Sequence, residues 1–130
     1  DKSASVIVAS STLTVTEAEH GDRYIALGNA AGFTTTLPEA TGTGNKYTFI
    51  VTITITSGDY IIHVKDSDEK MVGAAVFVDD DATPGLGKGW ATGVADDTIT
   101  MDETKGGTLG GKVVLIDIAD TMWFVEITGP

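Results

Sequence analysis

His20 and His63 are the only imidazoles in a chain of 130 residues that has no cysteine. Any serine–histidine relay must therefore use one of these two, while cysteine nucleophiles, thiolate zinc sites and disulfides are excluded. Neither histidine stands in a Gly-x-Ser-x-Gly or His-Glu-x-x-His frame. His63 alternates with Ile62 and Val64, which puts it on the outward face of a strand as a structural residue. Two carboxylates suffice for glycoside hydrolysis, and Asp96-Asp97 and Asp102-Glu103 are the adjacent pairs to weigh. They flank one short strand, where solvated turn acids are expected.

Hard cations want several oxygens, and two acidic runs offer them: Asp79-Asp80-Asp81, and Asp66 with Asp68 and Glu69. Both read as solvated charge. Side chains on adjacent extended residues point apart, and Lys70 stands where a calcium loop of the helix–loop–helix type needs an oxygen. Gly85-x-Gly87-x-Gly89 has no strand feeding it and no helix after it, so it is not a phosphate cradle. No enzyme, catalytic residue, metal or cofactor is expected. Contact is the chemistry that remains. Trp90, a large aromatic among glycines, must either cover the core or meet a partner. Val6, Ile7 and Val8 form an apolar run at an end that would otherwise fray. They are expected to add a strand to a sheet edge, of this chain or of another. The candidate partner-binding residues are thus Val6, Ile7, Val8 and Trp90.

The elements that must position them read as all-β. Threonine occurs 20 times and glycine 16 times, and helical periodicity is hard to find. In Tyr47 to Thr56, Tyr47, Phe49, Val51, Ile53 and Ile55 share one face and threonines the other, a period of two broken only by Ile50. Ser57-Gly58-Asp59 is turn chemistry, after which Tyr60, Ile62 and Val64 resume, so the spacing predicts a hairpin. Further strands are expected at Ser5–Ala9, Thr12–Thr16, Arg23–Leu27, Phe33–Leu37, Met71–Val78, Thr98–Asp102, Lys112–Ile118 and Met122–Thr128. Thr16-Glu17-Ala18-Glu19 fits a capping box and predicts one helical turn. Asp79 to Gly93 reads as a long irregular loop. About nine or ten short strands with regular turn signals predict a single-domain antiparallel β-sandwich or barrel over residues 12–130. Residues 1–11 are an N-terminal arm or edge strand. The inward set is Phe49, Val51, Ile53, Tyr60, Ile62, Val64, Trp123, Val125 and Ile127.

Charge narrows the partners. Nineteen acids against eight bases give −11. The basic stripe that nucleic acid requires is missing, and anionic membrane surfaces are disfavoured. No apolar run is long enough to span a bilayer, and the opening DKSASVIVAS is not expected to be a signal peptide.

Several stretches carry a resemblance: Leu13-Thr14-Val15-Thr16-Glu17-Ala18-Glu19-His20-Gly21, Ala31-Gly32-Phe33-Thr34, Leu37-Pro38-Glu39-Ala40-Thr41-Gly42-Thr43-Gly44 and Tyr47-Thr48-Phe49-Ile50-Val51. With Asp96-Asp97-Thr98-Ile99-Thr100-Met101, Gly110-Gly111-Lys112 and Trp123, the chain is similar to small virion proteins of tailed bacteriophages, especially marine ones, that decorate the head or sit in fibres. The resemblance implies a virion location and a structural role, with no catalytic residue to carry over. The expectation is a decoration (cement) protein on the capsid exterior, a homotrimer that binds the major capsid protein at junctions between its subunits. The alternative is a tail- or head-fibre module that binds host glycans, with Trp90 as stacking platform.

Overall fold

The computed structural model describes residues 6–79, 86–93 and 95–130. The described chain is all-β, with eleven strands and a single helical turn. In chain order these are β1 (Ile7–Ala9), β2 (Leu13–Thr14), α1 (Glu17–His20), β3 (Tyr24–Leu27), β4 (Phe33–Thr36), β5 (Lys46–Val51), β6 (Tyr60–His63), β7 (Lys70–Asp79), β8 (Leu86–Ala91), β9 (Thr98–Met101), β10 (Lys112–Ala119) and β11 (Met122–Gly129). They form a seven-stranded sheet, β1-β3-β5-β10-β11-β7-β8, and a four-stranded sheet, β2-β4-β6-β9. One hydrophobic cluster, drawn from the inner faces of both, makes a sandwich. Neither sheet closes into a barrel.

The sheets are mixed, which corrects the antiparallel expectation. From β1 to β6 the chain switches sheet at every step, so β1, β3 and β5 pair in parallel on one side and β2, β4 and β6 on the other. A parallel pair needs a crossover, and here a strand of the opposite sheet supplies it in place of a helix. The same coiling rules out the expected β5–β6 hairpin, because β5 lies in the large sheet and β6 in the small one. The link between them is a turn stacked on the turn below. Gly58 and Gly32 adopt positive φ (70° and 75°), and a Cβ on either would strike the backbone of the other turn, at Ala31 and Asp59 respectively. From β7 onward the pairs β7–β8, β10–β11, β5–β10 and β6–β9 are antiparallel, while β7 and β11 pair in parallel from Lys70 opposite Met122 to Phe77 opposite Gly129.

Two further expectations change. The regular alternation of Tyr47–Thr56 ends at Val51 as a strand, because the following residues bond to the 107–111 loop. Ile55 N–H donates to Gly107 O (2.8 Å), and Leu109 N–H to Thr54 Oγ1 (2.9 Å). Ile53 is consequently 46% exposed, and its expected core place is held by Ile55. The rest of the inward set (Phe49, Val51, Tyr60, Ile62, Val64, Trp123, Val125, Ile127) is buried. The stretch read as a loop from Asp79 to Gly93 contains β8, which folds back on β7 with Trp90 opposite Ala75.

The helical turn forms where the capping box placed it, with a changed partner. Thr16 Oγ1 accepts from Glu19 N–H (3.3 Å), but the Thr16 N–H donates to Nδ1 of buried His20 (3.0 Å) rather than to a glutamate. That bond assigns the Nε2–H tautomer to His20.

Candidate interaction site

The sequence candidates disperse. His20 is the buried last residue of α1. His63 is half-buried on β6, with Nε2 3.1 Å from Thr36 Oγ1 and Nδ1 2.7 Å from Val64 O, so both ring nitrogens are engaged. Asp96 accepts from Gly93 N–H (2.6 Å), and Asp97 from the Thr98 hydroxyl (2.9 Å). Asp102 accepts from Thr104 N–H and Oγ1 (both 2.8 Å) and from Lys105 N–H (2.9 Å). The Thr104 hydroxyl and these amides hold its carboxyl below the usual range. These acids organise turns.

The acidic runs part company. Asp80 and Asp81 lie outside the described residues, as does Gly85. Asp66, Asp68 and Glu69 bring carboxylate oxygens within 4.8 Å of one another. Glu69, expected in a solvated run, is instead buried (3% exposed), and its oxygens are spent on protein donors: Ala40 N–H (2.9 Å), Asp66 N–H (3.1 Å) and Trp123 Nε1–H (3.3 Å). Burial of an acid among apolar strands leaves no signal in local sequence, so pattern reading missed it.

The apolar arm folds onto its own sheet. β1 pairs in parallel with β3, matching Ile7 to Ile25 and Val8 to Ala26. Ile7 packs against the core, whereas Val6 and Val8 are exposed (54% and 73%). They open one end of a broad surface, the outer face of the seven-stranded sheet, over which no second sheet lies among the described residues. Tyr24, Ile50, Val114, Ile116, Phe124, Val72, Val76 and Val78 all occupy its outward pleat positions, each exposed or half-buried. Among the described residues, the charged ones on those outward positions are Lys46, Lys70, Lys112 and Glu126, three cations and one anion on a chain of net −11. Alternation in β7 and β10 shows both faces of these strands as apolar, which is the sequence signal for this surface.

Trp90 sits elsewhere, at the side of the sandwich. The large sheet extends past the small one as the β7–β8 hairpin, and between that hairpin and β9 runs a cleft of about 300 Å³. Trp90 and Phe77 meet edge to face on its outer wall (centroids 5.5 Å, 64°), with Met71, Ile99 and Met101 below. Lys105 Nζ lies 5.8 Å from the Trp90 ring centroid, a cation–π contact. Trp90 is 43% exposed, so it half covers the core at this side.

No family model, no curated protein and no solved structure matches this chain.

Proposed function

We propose that this chain is a decoration (cement) protein of a tailed-phage head, a homotrimer seated on the capsid exterior at junctions between major capsid protein subunits. The observation that carries the reading is the outer face of the large sheet. Soluble monomers rarely expose a contiguous apolar area of this breadth, and such faces mark contact sites. The acids, which dominate elsewhere, are all but excluded from it, so a neighbour can approach without opposing the net charge. Cement function needs this: apolar area buried at a junction adds to what holds the shell against internal pressure. The resemblance to small virion proteins supports the partner and the location. Trp90 supports the glycan alternative less well, because Lys105 lies over the ring on which a sugar would stack.

The test is immunogold microscopy of virions with antibody to this chain, combined with a Val114→Glu variant. Label over intact heads, with occupancy lost in the variant, is the expected result. Label confined to tails or fibres overturns it.

A further inference from the structure

The cleft beside Trp90 has one wall made of unpaired backbone. β9 pairs with β6 on one side only, and Val64 N–H donates to Asp97 O (3.1 Å), which makes 64/97 a hydrogen-bonded pair. Antiparallel alternation then turns the N–H and C=O of residues 96, 98, 100 and 102 away from β6. At the two ends these groups are used. Asp96 O accepts from Met71 N–H (2.7 Å), while Asp102 exchanges backbone bonds with Lys105 (3.2 and 3.3 Å). Between them, among the described residues, the edge groups of Thr98 and Thr100 have no partner. Directly across the cleft stand the half-covered Phe77 and Trp90. The small sheet therefore stops one strand short of what the overhanging hairpin could cover, and an open edge beside apolar side chains is a template for strand addition. Of the residues lining the cleft, Asp96 brings a carboxylate to the Thr98 end and Lys105 an ammonium to the Met101 end, where the Asp102 carboxylate is taken up by the Thr104 and Lys105 amides.

We propose that this cleft takes an extended polypeptide segment, added antiparallel to β9, with aliphatic side chains turned in toward Phe77 and Trp90, an acidic residue at the Lys105 end and a basic residue at the Asp96 end. Thr98 and Thr100 supply two donors and two acceptors, and the edge of four residues is about 13 Å long at ~3.3 Å per residue. Lys105 turns from the indole toward the incoming carboxylate. The inference deepens the contact reading by naming where a partner's chain enters, and it uses a surface distinct from the outer sheet face.

The probe is the capped pentapeptide Glu-Val-Thr-Val-Lys, titrated into the whole protein and followed by amide hydrogen exchange and indole fluorescence. In antiparallel pairing its threonine falls beside Thr100 and its lysine beside Thr98, with both valines facing inward. Protection of the Thr98 and Thr100 amides together with a Trp90 fluorescence change is expected. N-methylation of the peptide at its threonine and lysine removes both donors and should weaken binding about tenfold. Lys105→Glu, an exposed change that spares the fold, should weaken it up to about fivefold, and replacing the peptide's glutamate by lysine should restore it. Unchanged Thr98 and Thr100 exchange, or equal binding of the N-methylated peptide, overturns the proposal. So does a Trp90 response to galactose or N-acetylglucosamine oligosaccharides in place of the peptide. Val114→Glu should leave peptide binding intact. Peptide failure with decorated heads defeats only this inference, and peptide binding without decorated heads defeats only the capsid reading.

Discussion

Glu69 Oε1 and Trp123 Nε1 lie 3.3 Å apart, both residues all but inaccessible to water. The same oxygen accepts from Ala40 N–H, and the second oxygen accepts from Asp66 N–H. One carboxylate thus ties the β6–β7 turn and the segment after β4 to the largest side chain of the core. Trp123 also meets Tyr47 edge to face (5.6 Å, 70°), which joins the link to β5.

Replacing that carboxylate leaves three donors without an acceptor. Glu69→Ala should cost about 3 kcal/mol, since each unsatisfied buried group costs about 1–3 kcal/mol and water entry recovers part of it. Glu69→Gln keeps one carbonyl oxygen but turns an NH₂ toward a donor, so its loss should be smaller. Urea denaturation measures both, and equal stability of Glu69→Ala and the parent would show that the carboxylate is dispensable.

Asp117 gives the chain a defined pH response. Burial alone pushes its carboxyl upward, but N–H donation from Thr41 (3.1 Å) and Gly42 (2.6 Å) and the Thr43 hydroxyl (2.9 Å) outweigh that and hold it below the usual range. A depressed folded pKa stabilises above the unfolded value of about 3.9, and the gain is lost as pH falls through the folded pKa. Melting temperature should therefore fall below about pH 4. Asp117→Asn should be less stable at neutral pH and show a flatter acid limb. An acid limb identical to the parent's would remove Asp117 from the account.

Ile53 and Ile55 separate pattern from packing. Ile55 is 2% exposed and Ile53 is 46% exposed. Ile55→Ala should cost about 2–5 kcal/mol, and Ile53→Ala about 0.5 kcal/mol or less. The reverse order in denaturant titration would restore the uninterrupted strand.

Deleting residues 1–10 should lower stability by about 2 kcal/mol, because Ile7 packs on the core and Ala9 is buried. It also removes the acceptor of the Gly28 N–H (2.9 Å). Calorimetry tests this. Unchanged stability would mean that β1 docks on something other than its own β3.

The sequence by itself determined the β class, the positions of most strands, the helical turn at Thr16 and nearly all of the inward set. Each of these depends on neighbours within a few residues: a period of two, a capping residue, glycines at turns. What only the tertiary structure decided is which strand lies beside which. The Tyr47 and Tyr60 runs look like hairpin arms, yet they separate into opposite sheets, because the coil of β1 to β6 stacks turn on turn and the local pattern is the same in either arrangement. Trp90 carried no sign of its neighbours, since Phe77 and Lys105 approach it only when β7, β8 and the β9–β10 connection converge. Glu69 read as one more surface acid because its three donors come from three separate segments. Faces can be read along a chain, but partners across it are fixed by packing that no short window contains.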